Sequence, residues 1–210
     1  MGSIAITKIK RASDEAISIG VEISDGNNRQ YQGFVMLDDY FSGLDLAIGE
    51  ISRELMCDIE FWSGVTEAYF SACRSFAFAP CSLNALKRKL IVKGFDKGVA
   101  EQAIDRVKMI GFVDECDVAR RRAEIFVGKL WGQTRILSKL REEGFGDEAA
   151  DAVCDYLETV DMVELCTRLI EKRYGGVPEE REQRQRLSAS LYRYGYSPSE
   201  IRRALSRLSE

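Results

Sequence analysis

Three segments of this 210-residue chain share one pattern: Leu90-x-x-x-Gly94-Phe95, Leu140-x-x-x-Gly144-Phe145 and Leu191-x-x-x-Gly195-Tyr196. Their glycines stand 50 and 51 residues apart. A glycine in the left-handed conformation just past a helix end makes the next residue C″ and the leucine C3, the two side chains that touch in a Schellman cap. Each segment therefore predicts a helix end closed by a hydrophobic clasp. The helix after each cap matches as well: Ala103, Ile104 and Val107 lie 9, 10 and 13 residues past their glycine, as do Val153, Cys154 and Leu157, and Ala204, Leu205 and Leu208. Copies of one helical unit imply an array with a long surface rather than one deep cleft.

A third helix is expected in the first two copies, over Glu115 to Phe126 and over Leu165 to Tyr174. Before it, Gly111-Phe112-Val113-Asp114 and Asp161-Met162-Val163-Glu164 each begin 17 residues beyond the cap glycine. The chain ends before the last copy reaches that helix. Pro80 and Ser82, a fair N-cap, open the first copy, and Ser197-Pro198-Ser199-Glu200 combines an N-cap, an N1 proline and the glutamate of a capping box. Three-helix copies over residues 80–130 and 131–177 and a truncated one over 178–210 are the expected domains.

Residues 1–79 read differently. Ile17, Ile19, Val21 and Ile23 alternate, Asp25-Gly26-Asn27-Asn28 supplies turn residues, and Tyr31, Val35 and Leu37 resume the odd positions, predicting a hairpin with one apolar face. Ile4, Ile6 and Ile9 suggest the third strand that a stable sheet needs. Leu44, Ile48, Ile51 and Leu55 have helical spacing, and Ala68 to Phe78 suggests a further helix. The expected fold class is mainly α: tandem three-helix repeats in a right-handed array, preceded by a small α+β region that contains a β-hairpin.

Composition narrows the chemistry. The chain has no histidine, which removes the commonest general base and most zinc sites. Six cysteines occur without a C-x-x-C pair, so free core thiols in a reducing cytoplasm are the expectation. Met1-Gly2 is followed by Ile6 where a myristoylation signal needs Ser or Thr, and no secretory leader or membrane span is read. Gly128-Lys129 lacks the earlier glycine of a phosphate loop, position 123 being Ala123. No catalytic residue, cofactor or metal is expected, and the chain is read as a non-enzyme. Net charge is -4, but it is polarised: -6 over residues 1–80, -2 over 81–167 and +4 over 168–210. An acidic front and a basic tail suit a partner of mixed charge, or nucleic acid touched at one end.

The strings Pro80-Cys81-Ser82 with Leu86, Lys89, Leu90, Lys93 and Gly94, then Gly111-Phe112-Val113-Asp114-Glu115 with Ala119, then Trp131-Gly132-x-x-Arg135-Ile136-x-x-x-Leu140-x-x-x-Gly144, resemble the RecX family of bacterial recombination regulators over about residues 80–210. The resemblance implies an all-helical repeat protein that binds the RecA recombinase filament and inhibits its ATPase, strand-exchange and co-protease activities in recombination and the SOS response. It implies DNA, single- or double-stranded, as a further partner, because some family members are reported to bind it. The chain departs from the family at Ala79 and Cys81, where arginines are usual.

Basic residues recur at corresponding places in the copies: Lys87, Arg88 and Lys93 in the first, Arg135, Lys139 and Arg141 in the second, and Arg184, Arg186, Arg193, Arg202, Arg203 and Arg207 in the last. With Arg120, Arg121 and Arg122 they form the candidate filament-binding set, a stripe whose grip would weaken with salt. Three consecutive arginines fan around a helix, so a solvated face is the simpler reading of that run. Trp131 reads as a packing residue before a binding anchor. A DNA-binding helical-repeat protein is the alternative, since helix, glycine turn and helix also describe a helix-turn-helix.

Overall fold

A computed structural model describes residues 3–209; the Met1-Gly2 pair of the lipidation reading lies outside them. The chain forms two compact units, one of Met1–Ala79 with Leu86–Val113 and one of Pro80–Ala85 with Asp114–Glu210. Among the described residues the protein is mainly helical, with a four-stranded antiparallel sheet at its N-terminal end.

In the first unit, β1 (Ser3–Ser13), β2 (Ala16–Asp25), β3 (Asn28–Leu37) and the short β4 (Gly49–Glu50) pair in the order β3-β2-β1-β4. The expected hairpin and third strand are present, but of the residues expected on the buried face of β3, Leu37 is buried while Tyr31 and Val35 are not. Asp25 pairs with Asn28 around Gly26-Asn27, with Gly26 at φ 62°. A two-residue turn pairs each odd residue of β2 with an even one of β3: Ile17 with Met36, Ile19 with Phe34. Met36 is therefore buried while Tyr31 and Val35 are exposed.

The helix expected from Leu44 to Leu55 does not form. Helix α1 (Asp38–Gly43) stops before it, Asp45 and Gly49 have positive φ, and Gly49-Glu50 pairs with Ala5 and Ile6 of β1. Leu46 enters the core while Ile48 is exposed. Ser52 then caps α2 (Arg53–Phe78), accepting from the Leu55 amide at 3.1 Å, and α2 runs unbroken through the separate helix expected at Ala68. Ile6, Ile19, Val21 and Met36 of the sheet pack on Met56 and Ile59 of α2. Two hydroxyls of α2 satisfy amides of the edge strand: Leu37 donates to Thr66 Oγ1 at 3.1 Å and Val35 to Ser63 Oγ at 3.2 Å.

The remaining helices are α3 (Leu83–Val92), α4 (Lys97–Met109), α5 (Glu115–Gly128), α6 (Gln133–Glu143), α7 (Asp147–Glu158), α8 (Met162–Tyr174), α9 (Arg181–Arg193) and α10 (Pro198–Arg207). All three expected clasps are Schellman caps. Gly94, Gly144 and Gly195 have φ of 97°, 90° and 94°. The amides of Phe95, Phe145 and Tyr196 reach back to the carbonyls of Leu90, Leu140 and Leu191 at 3.2, 3.1 and 3.3 Å. Gly111 closes α4 in the same manner, and so does Leu130 after α5, a non-glycine residue at φ 59° whose neighbours Phe126 and Trp131 stack at 4.7 Å. The capping box at Ser197 and Glu200 is complete.

The positions 17 residues past the cap glycines differ in role: Gly111 ends a helix, whereas Asp161 begins α8, accepting from the amides of Val163 and Glu164. Packing also groups the helices in its own phase. In the second unit α5 packs on α6 and α7, and α10 packs on α8 and α9, so each bundle opens on the helix that comes third when copies are counted from the cap-bearing helix.

Candidate functional site

Within the second unit, helix starts dock on helix ends. Ser82 Oγ donates to the Glu143 carbonyl at 2.7 Å and Asn84 Nδ2 to the Gly144 carbonyl at 2.9 Å, at the cap of α6. One copy later the amide of Gly132 donates to the Tyr194 carbonyl at 2.9 Å and that of Thr134 to the Gly195 carbonyl at 3.2 Å, at the cap of α9. The donor changes from side chain to backbone, but orphan carbonyls of one helix are satisfied by the start of another in both places. In the last copy α9 starts a turn earlier relative to its leucine, and Arg184 bonds the carbonyls of Pro178 and Glu179 at 2.6 and 3.0 Å.

The junction at Gly132 and Gly195 carries a run of aromatic rings and cations. Arg122 lies 5.5 Å from the Phe126 ring centre, Phe126 stacks on Trp131 with the planes 8° apart, and Arg135 lies 4.0 Å from the Trp131 centre and 5.0 Å from that of Tyr194. Arg173 lies 5.2 Å from the same tyrosine, and Lys129 is 5.9 Å from Trp131. Cations at such distances are attracted by the electron-rich ring faces. Two shallow hollows flank the run. One, of about 450 Å³, is lined by Trp131, Arg135, Lys139, Tyr192 and Arg193; the other, of about 280 Å³, by Lys129, Leu130, Lys172, Arg173 and Tyr194.

The basic residues expected to form a stripe do not share one environment. Many are engaged by local carboxylates: Lys87 with Glu101 at 2.6 Å, Arg120 and Arg121 with Asp117 at 3.6 and 2.9 Å, and Arg122 with Glu143 through two bonds of 2.8 and 3.0 Å. Lys139 pairs with Glu142 at 3.0 Å, Arg186 with Glu182 at 2.5 Å, and Arg207 with Asp161 and Glu164 at 3.7 and 3.4 Å. The Glu143 hydrogen bonds hold the Arg122 guanidinium more firmly protonated than usual. Arg88 is engaged as well, and Lys93 donates to Ser71 and Ser75 at 3.0 and 2.9 Å in the first unit. Arg202 bonds the Pro198 carbonyl at 3.4 Å, and Arg202, Arg203 and Arg207 line one side of α10. Arg141 lies in the last turn of α6.

Another group is gathered at the aromatic junction. Of the candidate set, Arg135 and Arg193 belong to it. Lys129, Lys172, Arg173, Tyr192 and Tyr194 join them without having been singled out, although the alternation Tyr192-Arg193-Tyr194 and the pair Lys129-x-Trp131 are visible in the sequence. Among the described residues no acid lies within salt-bridge distance of Lys129, Arg135, Lys172, Arg173 or Arg193. Trp131 is half-buried against the helical core, so it packs and supports the surface at once. Among the described residues no group of three Cys, Asp or Glu side chains is placed to hold a metal ion, and no helix is long and apolar enough to cross a membrane.

This architecture defines a class: a helical-repeat protein with an N-terminal sheet and a cation-rich aromatic surface. A family model described as RecX, third three-helix domain, matches residues 160–205, the span of α8 to α10. The regulatory protein RecX of Halorhodospira halophila is 30% identical over 145 residues, covering 67% of this chain and 87% of that protein. Its counterpart in Treponema pallidum (strain Nichols) is 31% identical over 144 residues, covering 67% and 84%. A crystal structure of regulatory protein RecX shares the fold with a TM-score of 0.71 at 19% identity, over 95% of this chain and 97% of that one. The chain belongs to the RecX family of regulatory proteins.

Proposed function

We propose that this protein is a cytoplasmic regulator that binds the RecA recombinase–DNA filament and restrains its ATPase, strand-exchange and co-protease activities in recombination and the SOS response. The observation that carries this reading is the match to RecX regulatory proteins over most of their length. The repeat helices and the unneutralised cations at the Trp131–Tyr194 junction support it physically, since a filament groove is met by an extended surface with placed charge. No cofactor and no catalysis by the chain itself enter this role. Added to RecA on single-stranded DNA at low salt, the protein lowers ATP hydrolysis in proportion to its concentration. An unchanged rate over a wide concentration range would sink the reading.

The exposed Arg202 and Arg203 on α10 favour one second reading, direct action on DNA. In that case naked DNA shifts in a gel as readily as the filament binds, and the charge reversals Arg202→Glu and Arg203→Glu abolish the shift and its salt dependence.

A further inference from the structure

Six cations of the second unit, Arg120, Arg121, Arg122, Lys139, Arg186 and Arg207, pair with the chain's own carboxylates; Lys129, Arg135, Lys172, Arg173 and Arg193, where α6, α8 and α9 meet, are not in those pairs. Arg135 and Arg173 both lie over the Tyr194 ring, at 5.0 and 5.2 Å from its centre, and Arg135 also lies over Trp131 at 4.0 Å. Neither guanidinium has a hydrogen-bond acceptor among the described residues, so their N–H donors remain open. A guanidinium held on a ring loses less freedom when it grips an oxyanion, and its planar fork matches a carboxylate with two parallel bonds.

Two observations choose the occupant. The two rings that hold the cations are already covered, since Trp131 has Phe126 stacked on it and Arg135 over it and Tyr194 has Arg135 and Arg173, which leaves Tyr192 as the exposed ring of the larger hollow. A groove for single-stranded nucleic acid needs ring faces open to bases. The cationic area is also short. Next to it Arg122 and Lys139 are paired with acids, and Glu142 stands on the rim of the larger hollow, where a long polyanion would meet it.

We propose that Arg135 and Arg173, set around Tyr194 with Lys129, Lys172 and Arg193 beside them, form a docking site for a short acidic segment of a partner protein. The proposal rests on the regulatory reading only for the identity of the protein that carries the segment.

Arg173 is exposed, so its substitution leaves the core intact, which circular dichroism verifies. Fluorescence anisotropy with a short fluorescein-labelled poly-Glu peptide, and with a labelled oligo-dT of similar charge, reads the site in the full chain. Wild type binds the peptide, and Arg173→Gln weakens it by about tenfold. Arg173→Lys also weakens it, because charge survives but the fork does not, whereas Arg202→Gln on α10 leaves it unchanged. The site is refuted if Arg173→Gln binds like wild type, if Arg202→Gln loses as much, or if oligo-dT binds more tightly than the peptide and depends on Arg173. Co-sedimentation with RecA filaments, run beside it, separates the two ideas. Arg173-dependent peptide binding without co-sedimentation leaves the site standing and removes the RecA reading; co-sedimentation with Arg173-independent peptide binding does the reverse.

Discussion

The backbone of Gly132 lies directly against that of Gly195. A Cβ on Gly132 would sit 2.3 Å from the Gly195 carbonyl carbon, and one on Gly195 would sit 2.5 Å from the Arg135 amide nitrogen. The contact lets the α6 amides reach the α9 carbonyls, so the two glycines serve a close approach and not only a turn. Gly94 has the same positive φ as Gly195 but nothing within 4 Å of an added Cβ. Gly132→Ala is expected to cost about 2–4 kcal/mol through backbone displacement, and Gly94→Ala only about 1 kcal/mol through left-handed strain. Urea unfolding of the two variants measures the difference, and equal losses would contradict the close contact.

Tyr196 is almost wholly buried and its hydroxyl donates to the carbonyl of Leu130 at 2.9 Å, in the left-handed cap that follows α5. Tyr196→Phe keeps the ring packing and strands that carbonyl, a loss of about 1–3 kcal/mol. Thermal unfolding at neutral pH should show the lowered midpoint, and an unchanged midpoint would mean that the bond contributes nothing net.

Asp161 is the N-cap of α8, and its carboxyl is held below the usual carboxylate range, first by the amide of Glu164 and then by Arg207. A depressed folded value means that the unfolded chain takes up the proton first as pH falls. The stabilisation is thus complete above the unfolded value of about 4 and disappears as pH drops through the lower folded one. Asp161→Asn still caps. Its stability, followed by urea titration from neutral pH to below pH 4, should therefore fall less steeply than that of wild type.

Cys166 is buried in the helical core, where burial pushes its thiol up to about 12, whereas Cys57 is exposed. The thiolate is the reactive form. Native alkylation mapped by mass spectrometry should find Cys57 modified and Cys166 untouched until denaturant is added. Equal native rates would place Cys166 at the surface.

The parts of the fold read correctly from sequence are those whose cause is local. The Schellman caps at Gly94, Gly144 and Gly195, the capping box at Ser197 and the helices after them are each settled within about six residues of chain. Where a distant strand intervenes, local reading fails. Leu44 to Leu55 has helical spacing, yet Gly49 and Glu50 are drawn onto the edge of β1. The alternation that points Tyr31 and Val35 inward is inverted by the two-residue turn at Gly26-Asn27. The same holds at the candidate site: Arg135 was legible from its recurrence, while Lys129 and Arg173 meet Trp131 and Tyr194 only because four helix ends converge.

By itself, then, the sequence determined the helical repeat, its period and its caps, because backbone hydrogen bonding at a helix end depends on neighbours along the chain. Tertiary structure decided which face of β3 is buried, on which helix each bundle opens, and which cations are left for a partner. Lys139 and Arg173 look alike in a string of letters, but one has Glu142 at 3.0 Å and the other a tyrosine ring at 5.2 Å. Charge acts through space, so a cation's availability depends on what folding brings beside it.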